Sequence, residues 1–327
     1  MASPDPAPRL GITVYGCELD EAAAFHELSP RYGIVPTIVR AAVSEANVSS
    51  AAGNRAISVG HKSEISRPLL RALKDSGVDY LSTRSIGLDH IDLDTARRIG
   101  ITVENVVYAP DGVADYTLML ILMAIRNAKD VLDSAEQHDF RLRSTRGKDL
   151  RDLTVGVVGV GRIGNAVVRR LAGFGCRVLA CDISPRPAAA AGLISLDDLL
   201  FQSDVVTLHL PLNPETHHVI GPAELATMKP GAFLVNTGRG ALVDTGALVV
   251  ALENGRLGGA ALDVLEGEEG IFYFDHRTTP PAHEFLLRLQ HLPNVIVTPH
   301  TAHHTERTLR DTVERTLTNY VDFERNR

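Results

Sequence analysis

One glycine-rich segment, Thr154 to Gly164, constrains the fold of this chain more than any other. It consists of an apolar run followed by three glycines in the spacing G-x-G-x-x-G. The apolar run predicts a buried strand, and residues 162–174 continue as an amphipathic helix. In such a unit Gly159 permits the tight turn, Gly161 lets backbone approach a phosphate group, and Gly164 allows close packing of helix on strand. The segment therefore predicts a parallel α/β domain.

An acidic residue follows this unit at the sequence separation that is typical of dinucleotide-binding domains. A second predicted strand, 177–181, ends at Asp182, which stands 18 residues after Gly164. A carboxylate at about this separation binds a ribose hydroxyl in dinucleotide-binding domains, and pyrophosphate lies at the helix N-terminus, where N–H groups are unpaired. An ordinary tight turn in a nucleotide-free protein is the alternative. Strand, turn, helix and acid together favour a dinucleotide site.

Length and composition limit the class of protein. A chain of 327 residues exceeds the size at which one core stops growing, about 250 to 300 residues, so we expect two domains. The net charge of -7 and the lack of any block of Lys or Arg disfavour a nucleic acid or an anionic membrane as partner. The most apolar run, 118–125, is too short to span a bilayer, which takes about 20 residues. Three cysteines without paired spacing suit reduced thiols, which predicts a cytoplasmic protein.

The chain contains two series of alternating predicted strands and helices, and this alternation predicts two parallel sheets. In the first series, strands are predicted at 11–15, 34–39, 56–59, 80–83 and 101–103, and helices at 19–28, 64–76 and 92–99. After a long helix, 113–127, and a polar connector, 130–152, the second series adds strands at 205–209, 232–236, 260–264 and 295–298. A long segment, 266–293, separates the last two strands. Only the second series carries the glycine motif, and the closing helix, 304–323, is expected to pack on the first domain.

Three polar positions follow strands of the second series: Arg239, the acidic run 266–269 and His300. Ligands of doubly wound sheets bind beyond the carboxyl ends of the strands. A guanidinium grips a carboxylate with two parallel hydrogen bonds and polarises the neighbouring carbonyl. An imidazolium donates the proton that accompanies hydride addition, and a carboxylate on its other nitrogen favours the charged ring. Taken singly, each residue is also compatible with a solvated charge or a loop contact. Together they favour reduction of a 2-oxo acid.

The motifs at 159–164, 209–212, 228–244, 259–264 and 298–302 resemble the D-isomer-specific 2-hydroxyacid dehydrogenases. The resemblance implies an α/β fold of two doubly wound parallel-sheet domains. A Rossmann dinucleotide-binding domain, 109–302, is then inserted in a discontinuous flavodoxin-like substrate domain made of 1–108 and 303–327. It also implies that Arg239 clamps the substrate, that Glu268 pairs with His300, and that His300 acts as acid in reduction and as base in oxidation.

The same resemblance assigns binding residues and no metal. It implies that NAD(H) or NADP(H) contacts Gly159, Gly161, Arg162, Ile163, Gly164, Asp182, Leu210, Pro211, Thr237, Gly238, Arg239 and Asp263. Substrate contacts are implied at Ile86, Gly87, Tyr108, Arg239 and His300, with hinge packing as the alternative for Tyr108. Asp182 would favour NAD(H) by repelling a 2′-phosphate, whereas Arg186 would soften that preference unless it is a plain surface charge.

Within this family the chain resembles the D-lactate dehydrogenases of vancomycin resistance, on residues 11–18, 59–65, 114–123 and 263–275. That likeness implies reduction of pyruvate to D-lactate for peptidoglycan precursors ending in D-alanyl-D-lactate. We expect a homodimer formed through the nucleotide domain and helix 118–125. The pair His303 and His304 departs from the aromatics common at this place. Two alternatives stay open: a dehydrogenase for broader or bulkier 2-oxo acids, and a dinucleotide-sensing protein of the corepressor kind.

Overall fold

The computed structural model of the chain describes residues 10–62, 64–142, 145–183 and 193–327. Two units are distinguished: one is formed by Met1–Ala109 with His304–Arg327, the other by Pro110–His303. The assignment of substrate to the ranges 1–108 and 303–327 and of the dinucleotide to 109–302 stays a prediction. Arg186, with its predicted influence on cofactor choice, lies outside the described residues.

Strands and helices alternate along most of the described chain. The strands are β1 (Leu10–Tyr15), β2 (Ile34–Val39), β3 (Ala56–Val59), β4 (Tyr80–Thr83), β5 (Thr102–Asn105), β6 (Thr154–Val158), β7 (Arg177–Cys181), β8 (Val205–Leu208), β9 (Phe233–Asn236), β10 (Gly259–Leu262) and β11 (Val295–Val297). The helices are α1 (Leu19–Leu28), α2 (Arg67–Asp75), α3 (Leu93–Ile99), α4 (Asp111–Ile125), α5 (Ala128–Glu136), α6 (Arg162–Leu171), α7 (Leu196–Gln202), α8 (Pro222–Thr227), α9 (Thr245–Glu253), α10 (Glu284–His291) and α11 (Glu306–Arg325).

The first unit is built on a parallel sheet in the order β2-β1-β3-β4-β5. This is the flavodoxin-like order, so the predicted fold class of this part is confirmed. Apolar clusters cover the sheet, and one of them joins Ile12 and Val14 of β1 to Val313 and Leu317 of α11. The C-terminal helix thus packs on this sheet, although most of the chain lies between them in sequence.

The second unit is built on a parallel sheet in the order β11-β10-β9-β8-β6-β7. A parallel bridge between Ala180 and Leu193 extends the sheet beyond β7, and the N–H of Ile194 donates to the Ala180 carbonyl at 3.0 Å. With that bridge as the third strand and β11 as the seventh, the order becomes 3-2-1-4-5-6-7, which contains the Rossmann order 3-2-1-4-5-6. The predicted Rossmann fold is therefore confirmed. The strand order reverses between β6 and β8, the position where such sheets bind their ligands.

Some predicted elements were wrong. The helix predicted from residue 64 begins at Arg67, because Pro68 fits only the first turn of a helix and Ser66 precedes it. The predicted polar connector contains most of α5, whose Val131 and Leu132 are more than half exposed, so the apolar periodicity that marks a helix is weak there. In the segment 266–293, α10 was not predicted.

The structure bears on two expectations from the sequence, that the cysteines are reduced and that the apolar run 118–125 does not span a membrane. All three cysteines are free, and burial raises the pKa of Cys17 to about 12, so this thiol is not a thiolate near neutral pH. The apolar run of α4 serves the core of its own unit, because Leu120 and Ile121 are fully buried. Among the described residues, no helix has both the length and the apolar character needed to cross a membrane.

Candidate active site

The glycine turn after β6 has the shape that a phosphate group requires. Gly159 has φ +87°, and a Cβ there would lie 2.7 Å from the carbonyl oxygen of His209. A Cβ on Gly164 would overlap the carbonyl oxygen of Gly159. At Gly161, by contrast, a Cβ would meet no described atom within 4 Å apart from its chain neighbours. The turn is therefore packed tightly on the protein side and open in front of α6, which fits the pyrophosphate of a dinucleotide.

Asp182 is tied to this turn. It follows β7 directly, and its Oδ2 accepts the N–H of Val160 at 2.7 Å. The Nδ2 of Asn165 donates to the carbonyl of the same Val160 at 2.6 Å. Arg162 is exposed and Ile163 partly buried on the first turn of α6. The residues predicted to meet pyrophosphate and ribose thus share one edge of the sheet.

A histidine that the sequence analysis did not assign to the site lies across the turn from Gly159. Nε2 of His209 is 3.0 Å from Oγ1 of Thr207, while its Nδ1 is buried without a hydrogen-bond partner among the described residues. Although the residue as a whole keeps some exposure, burial of the ring lowers its pKa to about 3. His209 is therefore a neutral imidazole at the switch point, followed by the predicted cofactor contacts Leu210 and Pro211. The position of His209 directly after β8 is the sequence feature that could have pointed to it, because ligands of such sheets bind beyond the strand ends.

Arg239 stands on a turn that Asn236 organises. Asn236 accepts the N–H of Gly238 at 3.0 Å and donates through Nδ2 to the carbonyl of Arg239 at 2.8 Å. Thr237 is held from α4, because its hydroxyl lies 2.9 Å from that of Thr117. The Nη1 of Arg239 donates to the Gly238 carbonyl at 2.9 Å. The segment 236–240 reads Asn-Thr-Gly-Arg-Gly, in which asparagine is a turn-forming residue, and here it fixes the backbone of the arginine.

Glu268 and His300 form a hydrogen-bonded pair. Nδ1 of His300 lies 2.6 Å from Oε1 of Glu268, and Oε2 of the carboxylate accepts the N–H of Leu265 at 2.7 Å. Both side chains are largely buried: that of His300 is 15% exposed and that of Glu268 is 18% exposed. The turn of Arg239 lies against the same segment, because a Cβ on Gly240 would overlap the backbone of Leu265. The structure therefore brings the pair together and packs the arginine turn beside it.

The loop that carries His300 is anchored by a buried carboxylate. Oδ1 of Asp263 accepts the hydroxyl of Thr298 at 2.6 Å and the N–H of Thr301 at 2.9 Å, and Oδ2 accepts the N–H of Ala302 at 2.8 Å. Burial raises the pKa of Asp263. His300 itself has φ +53°, which a non-glycine residue keeps only where its surroundings hold it. Asp263 thus positions the histidine loop, and its predicted contact with the nicotinamide amide stays a prediction.

A tyrosine that the sequence did not reveal also holds this loop. The hydroxyl of Tyr273 donates to the carbonyl of His300 at 3.0 Å, and the two rings lie 6.1 Å apart. Tyr273 falls in the segment 266–293, where no periodic pattern marks individual positions. No sequence signal would have singled it out.

The predicted substrate residues Ile86, Gly87 and Tyr108 belong to the first unit. Asn105 donates to the Ile86 carbonyl at 2.6 Å, and the hydroxyl of Ser85 donates to the Gly87 carbonyl at 2.7 Å. Within the described part of the chain, neither the Ile86 nor the Gly87 N–H donates a hydrogen bond. The loop is thus held by its carbonyl groups. Tyr108 is partly buried just before the end of this part of the unit.

Comparison with known proteins identifies the family. The model of the D-isomer specific 2-hydroxyacid dehydrogenase, NAD binding domain, matches residues 118–302, more than half of the chain. This chain belongs to the D-isomer-specific 2-hydroxyacid dehydrogenases. The matched range includes the glycine turn, Arg239, Glu268 and His300. The dehydrogenase uses NAD(H), in agreement with the open space in front of Gly161.

Relatives extend the likeness to both units. The D-specific alpha-keto acid dehydrogenase of Enterococcus faecium is 62% identical over 316 residues, 97% of this chain and 98% of the relative. Among solved structures, a D-lactate dehydrogenase from Treponema pallidum matches with a TM-score of 0.86 and 30% identity over 97% of each chain. The NAD-complexed D-isomer specific 2-hydroxyacid dehydrogenase of Lactobacillus delbrueckii matches with a TM-score of 0.82 and 30% identity, again over 97% of each chain.

Proposed function

We propose that this dehydrogenase reduces pyruvate to D-lactate, and that Arg239, Glu268 and His300 are its catalytic residues. The observation that carries the proposal is the 2.6 Å pair of His300 and Glu268 beside the arginine turn. NADH, when bound, supplies the hydride for this reaction. The tasks left to the protein are to hold the 2-oxo acid, polarise its carbonyl and deliver one proton.

Arg239 is proposed to bind the substrate carboxylate and polarise the adjacent carbonyl. A guanidinium forms two parallel hydrogen bonds with a carboxylate, which fixes the orientation of a small acid. The turn closed by Asn236 holds the backbone of Arg239 in place, so little ordering is left for the moment of binding. The N–H groups of Ile86 and Gly87 are proposed as further donors to the substrate carboxylate. Tyr108 is proposed to contact the substrate.

His300 is proposed to donate the proton in reduction and to accept it in oxidation. Because Nδ1 is hydrogen-bonded to Glu268, the proton reaches the substrate from Nε2. Glu268 keeps the ring in one orientation and stabilises its protonated form during turnover. A positioned acid of this kind contributes about 10² to 10⁴ in rate.

The glycine turn and the strand ends around it are proposed to hold the cofactor. The residues concerned are those of the turn (Gly159, Gly161, Arg162, Ile163 and Gly164), Asp182, and the strand-end residues Leu210, Pro211, Thr237, Gly238, Arg239 and Asp263. The N–H groups at the start of α6 suit a pyrophosphate. The carboxylate of Asp182 suits a ribose with free hydroxyls, which favours NADH over NADPH.

The proposed role is to supply D-lactate for peptidoglycan precursors that end in D-alanyl-D-lactate. The support is the likeness on residues 11–18, 59–65, 114–123 and 263–275, together with the 62% identity to the enterococcal D-specific alpha-keto acid dehydrogenase. We place the enzyme in the cytoplasm as a homodimer. Expression in a host that has a D-alanyl-D-lactate ligase but makes no D-lactate should yield such precursors in mass spectra. An Arg239→Gln variant should yield none.

Absorbance of NADH in the presence of pyruvate tests the proposed activity. Wild-type protein should consume NADH, and Arg239→Gln should abolish consumption while NADH still binds. Gel filtration on the same samples should give the mass of a dimer. If wild type and variant were equally inert yet both bound NADH, the chain would be a dinucleotide sensor and the proposal would be overturned.

A further inference from the structure

A group of metal-binding side chains lies apart from the catalytic residues. It consists of His217 and His218, which follow β8, and Glu266, which follows β10. Nε2 of His218 is 2.8 Å from Oε1 of Glu266, and Nε2 of His217 is 3.8 Å from the same oxygen. One ligand atom from each residue lies within 4.8 Å of the others. The two imidazole rings stack with centroids 4.0 Å apart, and both Nε2 atoms lie within 4.0 Å of the same carboxylate oxygen.

We propose that His217, His218 and Glu266 bind a divalent transition-metal ion of the zinc class. Two imidazole nitrogens and one carboxylate oxygen form a donor set that Zn²⁺ accepts, with bonds of about 2.0 to 2.2 Å and water as fourth ligand. The side chains of His217 and His218 are 52% and 35% exposed, which leaves access for the ion and the water. Ca²⁺ takes six to eight oxygen ligands, so this nitrogen-rich set does not suit it.

The backbone of Glu266 is held in place by a third histidine, His283. Nδ1 of His283 accepts the N–H of Leu286 at 3.1 Å, so its Nε2 carries the hydrogen. That Nε2 lies 2.9 Å from the backbone carbonyl of Glu266 and therefore donates to it. The backbone beneath the Glu266 side chain is thus fixed from α10 before any ion arrives.

The backbone of the two histidine ligands is also held by hydrogen bonds, one within their own turn and one to Ala241. The N–H of His217 donates to the carbonyl of Asn213 at 3.0 Å, and the N–H of His218 donates to the carbonyl of Ala241 at 2.8 Å. The hydroxyl of Thr216 closes the turn on the carbonyl of Pro211 at 2.7 Å. Because both ligand segments are already ordered, binding costs little rearrangement. An ion that joins them stabilises the folded state, since it binds the native arrangement.

This site is separate from the proposed chemistry, and its existence does not depend on the proposed function. Arg239, Glu268 and His300 are not among its ligands. Glu266 nevertheless lies two residues before Glu268, so the ion would hold the segment that carries the catalytic carboxylate. The inferred site is thus a stabilising clamp between the turn after β8 and the segment after β10.

Calorimetric titration with ZnCl₂ and thermal unfolding with and without zinc test the inference, on protein without a histidine tag. Wild type should bind one zinc ion per chain and unfold at a higher temperature in its presence. His217→Gln and Glu266→Gln should each weaken zinc binding by at least about tenfold and lose the rise in unfolding temperature. His291→Gln, which removes an exposed histidine of α10, is the matched control and should behave as wild type.

Two further results separate this site from the catalytic pair. His300→Gln should retain zinc binding, and His217→Gln should retain pyruvate reduction. Lack of zinc binding by the wild type, unchanged affinity in His217→Gln, or loss of binding in His300→Gln alone would each overturn the inference. Should Glu266→Gln fail to fold, the exposed His217 variant keeps the test decisive.

Discussion

Nδ1 of His300 lies 2.6 Å from Oε1 of Glu268, while the second oxygen of this carboxylate accepts a backbone N–H from Leu265. One carboxylate therefore holds both the imidazole of His300 and the backbone at Leu265, three residues before Glu268 itself. In the proposed reaction this arrangement makes Nε2 the proton-transferring nitrogen. The same carboxylate connects the loops after β10 and β11, so ring orientation depends on tertiary structure rather than on local sequence.

Removing the charge of Glu268 should reduce turnover without weakening cofactor binding. In Glu268→Gln the amide can still contact the ring, but it no longer stabilises the imidazolium, so kcat for pyruvate reduction should fall by roughly 10². Steady-state kinetics and NADH fluorescence titration measure the two effects. Glu269→Gln removes the exposed neighbouring carboxylate and should leave kcat unchanged. Equal kcat in both variants would contradict the role of Glu268.

The two directions of the reaction should respond oppositely to pH. In the proposed mechanism, reduction requires a protonated His300, so kcat/KM for pyruvate should decline as pH rises. Oxidation of D-lactate requires the neutral ring, so its kcat/KM should increase over the same range. Profiles measured in both directions check this. Parallel or flat profiles would exclude His300 as the proton carrier.

Replacing Arg239 by lysine should be almost as harmful as removing the charge. Lysine keeps the positive charge but lacks the planar pair of donors, so kcat/KM for pyruvate should fall on the order of a hundredfold. Arg277→Lys alters an arginine that is 88% exposed and should have no effect. Full activity of Arg239→Lys would mean that charge alone suffices and that the guanidinium does not grip the substrate.

Gly161 and Gly173 form a matched pair for testing the cofactor site. Apart from residues adjacent in sequence, a Cβ at either position would meet no described atom within 4 Å. Gly161→Ala and Gly173→Ala should therefore both fold with an unchanged unfolding temperature. Only the methyl group at 161 would stand where backbone approaches the pyrophosphate, so only Gly161→Ala should weaken NADH binding, by about tenfold or more. Titration of both variants with NADH measures the two affinities. Equal affinities would contradict the prediction that the pyrophosphate binds at this turn.

His209 should make the folded state sensitive to acid. Its pKa is about 3 in the folded chain, whereas an exposed histidine has a pKa near 6.5. Between these values the unfolded state binds a proton that the native state does not, so the free energy of unfolding falls as pH falls. Between about pH 6.5 and pH 5, the shifted pKa of His209 lowers the free energy of unfolding by roughly 1.5 kcal/mol. Urea unfolding at both pH values should show a smaller loss for His209→Gln. An equal loss would mean that His209 is protonated in the native state.

Local patterns in the sequence predicted much of the fold and of the site. Strands such as 34–39 and 56–59 have the predicted bounds because each is a short, mainly apolar run between turn residues. Arg239 and His300 were predicted as site residues because parallel sheets bind their ligands just beyond the strand ends. The anchoring role of Asp263 was not predicted, since its partner Thr301 lies 38 residues away and only the fold brings them together. The contact of Tyr273 with His300 was not predicted either, because the two residues are far apart in sequence.

The most direct test is a comparison of kcat/KM for pyruvate with that for bulkier 2-oxo acids such as phenylpyruvate, with NADH as reductant and chiral analysis of the product. We predict that pyruvate gives the highest kcat/KM and that the product is D-lactate. A kcat/KM at least about tenfold higher for a bulkier acid, a difference of about 1.4 kcal/mol in transition-state binding, would contradict the proposed substrate. Formation of L-lactate would contradict the proposed stereochemistry.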